Sequence, residues 1–188
     1  EAYFFRAYSY FDLLQLYGDV IITKKPLDIT DPEMKVKRND RSEVVDLIID
    51  DLNHAVENLP AFKELTTEEE GRISKEGAQA FLSRVALYEG TWQKSRNGNQ
   101  NTQRSANLLD IAAKAARTVI DAKYGYTFRL FGTDSETKIL GDSAQKYMFI
   151  LENEKSNPAG IKKSSNHEYI FARRHDQVLA SIGKNITQ

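Results

Sequence analysis

The sequence contains no cysteine, which removes disulfides, thiolate zinc sites and cysteine nucleophiles from consideration. It also lacks a basic excess, since 26 Lys and Arg residues against 27 Asp and Glu residues give a formal net charge of -1. Domains that bind nucleic acid usually carry such an excess, so nucleic acid is not expected as a partner. No apolar run approaches the roughly 20 residues that a membrane-spanning helix needs. The chain itself is therefore not expected to cross a membrane.

Four segments show the apolar spacing that is typical of amphipathic helices. In order, they span about residues 1–17, 42–59, 75–92 and 108–123. Gly18 and Pro60 supply stops for the first two, and Ser74 is a good cap for the third. The first segment has so little polar surface that it is expected to be covered on most sides. The amide-rich stretch 93–107 is expected to be a mobile loop.

Paired helices of this kind predict a mainly α fold of tetratricopeptide-like helical hairpins with an irregular, partly extended C-terminal third. Gly77 and Gly90 lie inside the third helix, where close approach by a neighbouring helix would offset their cost. We assign residues 1–123 to the hairpin region and residues 124–188 to a loop-rich second region, with a short extended segment near Glu168–Ala172. Both ends of the sequence look cut, so the chain is expected to be an interior piece of a longer polypeptide.

The residue types that carry catalysis or bind metals form no recognisable site. His54 is expected to be solvated on its helix, and His167 and His175 match no zinc spacing. Asp50 and Asp51 are interpreted as a solvated helix face, not as a pair of catalytic carboxylates. No glycine-rich phosphate loop or GxSxG elbow is present. We therefore assign no catalytic residue, metal or cofactor, and the protein is not expected to be an enzyme.

Two surface features remain as candidate binding sites. Arg173, Arg174 and His175 could bind an anion together with the Lys162–Lys163 pair, although ion pairs or exposed charge beside Asp176 and Glu168 are the favoured interpretation. Trp92 is the candidate ligand-binding residue, because a sugar presents a flat apolar face that stacks on an exposed ring. Burial of Trp92 against the fourth helix is nevertheless the favoured interpretation of its position. The other rings on the helical stripes are expected to be packing residues.

Particular strings, beyond periodicity, resemble the SusD/RagB family of Bacteroidota. The longest is FFRAYSYFDLLQLYGDV, which spans residues 4–20 and is similar to a helix and turn of that family. Further strings resemble the family in the same order along the chain: Arg41–Asp46 with Asp50–Leu52 and Leu59–Pro60, then Gly71–Lys75 with Ala86–Trp92, then Asn166–Phe171. The ordered set is more specific than any single string, and it covers most of the chain.

The resemblance implies a lipoprotein on the extracellular face of the outer membrane, held there by a lipid anchor outside this segment. Such a protein captures oligosaccharide or another nutrient and delivers it to a TonB-dependent transporter of the SusC type, without catalysis or cofactors. The family's ligand contacts lie mainly on variable loops, so no binding residue is carried over. A helical-repeat adaptor for a protein partner is the main alternative, and an enzyme with unseen catalytic residues is a third.

Overall fold

The computed structural model describes residues 1–66, 69, 71–96, 102–151, 155–162 and 165–172. Its long helices are α1 (Ala2–Tyr17), α2 (Arg41–Asn58), α3 (Lys75–Arg96) and α4 (Thr102–Ile120). A short helix, α5 (Ala144–Tyr147), and 3-10 turns at Pro32–Lys35, Phe62–Glu64 and Lys138–Ser143 complete the described elements. The described ranges contain no strand, only one antiparallel bridge between Val20 and Asn39. Within the same ranges, no helix is both long and apolar enough to span a bilayer.

Local side chains fix where α2 and α3 begin. The Asp40 carboxylate accepts a hydrogen bond from the Ser42 amide at 2.8 Å, and the Glu43 carboxylate accepts one from the Asp40 amide at 3.2 Å. This reciprocal capping box satisfies amides that have no partner within the helix. Ser74 does the same for α3, because its hydroxyl oxygen accepts from the Gly77 amide at 3.2 Å. The predicted cap at Ser74 is therefore confirmed.

The four long helices pack in sequence order, α1 on α2, α2 on α3 and α3 on α4. Their inner faces form the main core, which includes Phe4, Leu14, Ile48, Leu52, Leu82, Val85 and Leu108. A smaller cluster around Phe131, Leu140, Leu151 and Ile161 lies in the irregular region that follows α4. The apolar spacing therefore correctly predicted the buried faces of α2 and α4 and most of that of α3, where Phe81 is only half-buried.

The close approach of α3 and α4 explains the glycine in the middle of α3. A β-carbon at Gly90 would lie 3.0 Å from the Leu109 side chain and 3.3 Å from that of Leu108. The Ser105 hydroxyl also donates to the Gly90 carbonyl at 2.8 Å. The expectation that a neighbouring helix approaches the glycine is therefore confirmed at Gly90. It is wrong at Gly77, where the atoms nearest to a β-carbon belong to Ile73 and Phe171, outside any helix.

The predicted loop over residues 93–107 is wrong at both ends, since α3 continues to Arg96 and α4 already begins at Thr102. The polar residues there are compatible with helix because their side chains have partners: Gln93 donates to Glu89 at 3.0 Å, and Ser105 donates to Gly90. The segment Glu168–Ala172 forms no strand. Residues 97–101 lie outside the described part of the chain.

Among the described residues only one side of α1 is covered, and coverage of its other sides within a larger assembly stays a prediction. Phe4, Ala7 and Leu14 are buried, whereas Leu16 is 74% exposed and Tyr17 65% exposed on the outer side. Phe5 and Leu13 are also exposed. This outer side of α1, defined by Phe5, Leu13, Leu16 and Tyr17, is an apolar surface without a covering element among the described residues.

Candidate functional site

A groove of about 290 Å³ lies between α1 and α3. We call it the α1–α3 groove. Its residues on α1 are Tyr8, Phe11, Asp12 and Gln15. Its residues on α3 are Phe81, Arg84 and Tyr88. Residues three, four or seven apart share one face of a helix, so each helix contributes one continuous stripe to this groove.

The rings of the groove hold one another in place. Tyr8 and Phe81 stack across it with centroids 5.4 Å apart and planes 28° apart. Phe11 lies beneath, and its ring meets both Phe81 and Tyr88 edge to face at 5.5 Å. Phe11 is buried, whereas Tyr8 remains 46% exposed. The result is a half-exposed aromatic surface on a rigid base.

Polar side chains flank these rings. Asp12, Gln15 and Arg84 are exposed, and none of them makes a hydrogen bond or ion pair with any residue that the structure describes. A carboxylate only accepts hydrogen bonds, a guanidinium only donates them, and an amide does both. The groove therefore combines flat apolar rings with uncommitted donors and acceptors.

Trp92 lies one turn beyond Tyr88 on the same stripe of α3, and the two rings stack with centroids 6.2 Å apart. The guanidinium carbons of Arg41 and Arg96 lie 4.4 and 4.7 Å from the centre of the indole ring. Trp92 is half-buried and does not line the groove. Its role as a ligand-binding residue stays a prediction.

A buried ion pair supports the part of α3 that carries these rings. The Arg41 Nε donates to both carboxylate oxygens of Glu89, at 2.9 and 3.2 Å, and Arg41 Nη1 donates to the Leu14 carbonyl at 3.3 Å. Glu89 is 0% exposed and also accepts from Gln93 at 3.0 Å. The pair therefore joins the end of α1 and the start of α2 to α3, between Tyr88 and Trp92.

A second ion pair joins α1 to α2 and corrects the interpretation of Asp51. The Arg6 Nε and Nη2 donate to the two carboxylate oxygens of Asp51 at 2.7 and 2.6 Å. Asp51 is only 2% exposed, so it does not belong to a solvated face, whereas Asp50 is exposed as predicted. The hydrogen bond to Asp51 raises the pKa of Arg6. Among the described residues no second carboxylate contacts the pair, so we interpret this fork-to-fork arrangement as structural.

Each histidine of the described ranges lies beside a tyrosine ring. His54 is exposed on α2, as predicted, and its ring centroid lies 5.2 Å from that of Tyr3. His167 Nδ1 lies 2.6 Å from the Tyr126 hydroxyl, and burial raises the pKa of Tyr126. Within the part of the chain that is described, no three His, Asp or Glu residues are grouped as metal ligands.

A hydrogen bond joins the segment Asn166–Phe171 to the irregular region that follows α4. Glu168 accepts a hydrogen bond from the Phe131 amide at 2.9 Å, and the Asn166 side chain accepts from the Glu168 amide at 3.0 Å. These bonds give Asn166 and Glu168, the first and third residues of this segment, a structural role. The anion-site candidates Arg173, Arg174, His175 and Lys163 lie outside the described residues. Lys162 is exposed.

The groove was not predicted from the sequence, because its rings were interpreted as core residues. Phe81 follows the helical spacing of the buried residues on α3, yet it is only half-buried. The available signal was the spacing of Phe81, Arg84, Tyr88 and Trp92, which places an arginine within a row of rings. A row that mixes rings with a charged side chain is less typical of a core than of a partly exposed face.

Comparison with known protein families gives a match to residues 1–87, to a SusD-like family described as starch-binding and associating with the outer membrane. A SusD-like protein of Bacteroides ovatus is 29% identical over 121 residues, which cover 64% of this chain and 20% of that protein. SusD-like protein P2 of Formosa agariphila is 27% identical over 173 residues, which cover 90% of this chain and 32% of that protein.

The crystal structure of a SusD-like protein from Bacteroides fragilis superposes with a TM-score of 0.60 at 27% identity, covering 90% of this chain and 25% of that one. The mainly α fold class is thereby confirmed, and the paired helices are consistent with tetratricopeptide-like hairpins. The chain spans only 20% to 32% of the length of these relatives. The division of the chain at residue 123 stays a prediction.

Proposed function

The chain belongs to the SusD/RagB family, and we propose that the protein captures carbohydrate at the cell surface and passes it to a SusC-type TonB-dependent transporter. The observation that carries this proposal is the match of residues 1–87 to a family described as starch-binding and associated with the outer membrane. Attachment through a lipid anchor, with the protein on the extracellular face, belongs to the same proposal. We further propose that oligosaccharide is held and released without a covalent step.

The geometry of the α1–α3 groove supports carbohydrate as the ligand. The exposed ring of Tyr8 and the half-buried rings of Phe81 and Tyr88 lie beside uncommitted polar groups. Such a surface suits a sugar, which has an apolar face and a rim of hydroxyls. In SusD/RagB proteins, as the resemblance implies, the transporter is the second partner. The exposed outer side of α1 offers apolar contact area for such a protein partner.

Titration calorimetry with the full-length protein and a panel of neutral oligosaccharides tests the proposal. We expect saturable binding of at least one oligosaccharide, and chromatography should recover that oligosaccharide intact after prolonged incubation. Accumulation of shorter products would contradict a purely binding role. Absence of binding across maltoheptaose, cellohexaose, laminarihexaose and mannohexaose would contradict carbohydrate capture.

A helical-repeat adaptor for protein partners is the second candidate function, and the outer side of α1 is the observation that favours it. Apolar side chains exposed together on one helix commonly mark a protein contact. Cross-linking in the outer membrane separates the two functions. Capture of a partner other than a TonB-dependent transporter, together with no affinity for any oligosaccharide, would favour the adaptor.

Trp92→Ala is expected to weaken oligosaccharide binding about three- to tenfold, because one stacking contact of the size seen between aromatic rings is worth about 0.5–1.5 kcal/mol. Trp92→Phe keeps a ring and should retain most of the affinity. The control is Tyr17→Ala, which removes an aromatic side chain that is 65% exposed on a different helix, α1. An unchanged dissociation constant for Trp92→Ala would show that the indole only supports Arg41 and the fold.

A further inference from the structure

We propose that the loop between α1 and α2 docks the protein on an anionic lipid surface, with its basic side chains on lipid phosphates and Ile29 in the interface. The loop spans residues 20–39, and we call it the 20–39 loop. This contact rests on the proposed function, because it presupposes a protein held at the outer membrane. It involves neither the α1–α3 groove nor Trp92.

Hydrogen bonds fix the base of the 20–39 loop. The Asn39 amide donates to the Val20 carbonyl at 2.9 Å, and Asn39 Oδ1 accepts from the Ile22 amide at 2.9 Å. The hydroxyl oxygen of Tyr10, a buried residue of α1, accepts from the Thr23 amide at 2.6 Å. The two limbs of the loop therefore start from one fixed point, and an ordered support loses little conformational entropy when a partner binds.

The 20–39 loop carries positive charge that the rest of the chain does not. Five basic against three acidic residues give it a formal net charge of +2, whereas the whole chain carries -1 and the remainder therefore -3. Asp31, one of the three acidic residues, pairs with Lys25 at 3.2 Å. The other four basic side chains are exposed and form no ion pair with any residue that the structure describes: Lys24, Lys35, Lys37 and Arg38.

These charges keep the loop at a surface even where further polypeptide covers other parts of the chain. A charged side chain that leaves water needs a partner of opposite charge, and without one its burial is very costly. Three of the four cations follow one another closely, at Lys35, Lys37 and Arg38. Covering them together requires a matching set of anions. A partner that presents several anionic groups at once fits this surface.

Apolar side chains among the cations favour a lipid surface over a soluble anion. Ile29, near the middle of the loop, is 90% exposed, and Val36, between Lys35 and Lys37, is 46% exposed. Protein surfaces that bind at a membrane interface combine basic side chains, which attract anionic lipids, with apolar side chains that enter the acyl boundary. A polysaccharide anion or free phosphate uses the cations but leaves Ile29 in water.

Cosedimentation with vesicles tests this contact in the full-length protein, expressed without lipid attachment. We expect binding to vesicles that contain phosphatidylcholine and phosphatidylglycerol at about 2:1, and at least about tenfold weaker binding to pure phosphatidylcholine. Binding should be lost in 1 M salt, where the Debye length falls to about 3 Å. Replacing Lys35, Lys37 and Arg38 together by glutamine should weaken binding on the order of 100-fold, since each basic residue near an anionic surface contributes about fivefold.

Two single variants test the apolar part of the loop and its acidic neighbour. Ile29→Ser should weaken binding about three- to tenfold, because partial burial of an isoleucine side chain is lost. Asp28→Asn should strengthen binding about fivefold, because it removes a carboxylate that lipid phosphates repel. Asparagine keeps the side-chain oxygen that accepts from the Ile29 amide at 2.6 Å, so the turn is preserved.

The matched control replaces Lys94, Lys123 and Arg129, exposed cations outside the loop, by glutamine. Binding that weakens as much in this control as in the loop variant would overturn the assignment to the loop. Equal binding to neutral vesicles would overturn the role of the cations. No binding to anionic vesicles would overturn the lipid contact, while carbohydrate capture is decided separately by calorimetry. Loop-dependent binding of polygalacturonate without binding to vesicles would assign the loop to an anionic polysaccharide instead.

Discussion

Replacing Arg41 by alanine is expected to lower the free energy of unfolding by about 3–5 kcal/mol, the usual cost of stranding one charge of a buried ion pair. Glu89 is fully buried, and among the described residues its hydrogen-bond donors are Arg41 and Gln93. The same change also frees the Leu14 carbonyl and removes the guanidinium that lies over Trp92. Urea unfolding followed by far-UV circular dichroism measures the effect.

Two further variants separate charge from geometry at this pair. Arg41→Lys keeps the positive charge but not the planar fork, so part of the loss should remain. Replacing both partners by leucine should cost much less than Arg41→Ala, because no buried charge is then left without a partner. Arg117→Ala is the control, since the one ion pair of Arg117 within the described ranges is an exposed pair with Asp121 at 3.8 Å. Such a pair is worth about 0–1 kcal/mol.

A loss below about 1 kcal/mol for Arg41→Ala would contradict this account, since an exposed pair would give the same value. It would mean that Glu89 reaches water or another donor once the guanidinium is gone. If the double leucine variant lost as much unfolding free energy as Arg41→Ala, this account would also be contradicted. The shape of the two side chains would then matter more than their charges.

The helices could be predicted from the sequence because their determinants are local. Apolar residues three and four apart mark the buried face of each helix, and the caps at Asp40 and Ser74 lie next to the segments that they start. The resemblance of the ordered strings to the SusD/RagB family then predicted how these helices are arranged. Local signals therefore account for most of the main core.

The start of α4 could not be predicted because its signal is not local. Ser105 appeared in a polar stretch, yet its hydroxyl bonds to the Gly90 carbonyl on α3. A polar residue at a helix contact becomes favourable only when its partner is known. Composition alone assigned this stretch to a loop.

Buried charge was missed for the same reason. Arg6 and Asp51 are 45 residues apart, and Arg41 and Glu89 are 48 apart. In the sequence, each of these residues looks like part of a polar helix face. Only the packing of α1, α2 and α3 shows which charged residues point inward. The α1–α3 groove likewise depends on two stripes from separate helices, of which neither alone predicts a site.

Arg6→Ala is expected to lower the free energy of unfolding by about 2–4 kcal/mol, because Asp51 then keeps a buried carboxylate without its forked donor. The effect should be smaller than that at Arg41, since the Arg6 side chain is 33% exposed and water can enter the space that it leaves. Arg84→Ala is the matched control. Arg84 is an exposed arginine without an ion pair in the described ranges, so its loss should change stability by no more than about 0.5 kcal/mol.

Asp50 and Asp51, which are neighbours on α2, provide a second comparison between an exposed residue and a buried, paired one. Asp51→Ala should destabilise the protein by about 1–3 kcal/mol, because Arg6 then loses two short hydrogen bonds, whereas Asp50→Ala should be close to neutral. A double-mutant cycle over Arg6 and Asp51 should give a coupling energy of at least about 1 kcal/mol, as expected for groups in direct contact. Equal effects at Asp50 and Asp51 would refute the pairing. Both aspartates would then belong to a solvated helix face, and α1 would be joined to α2 by apolar packing alone.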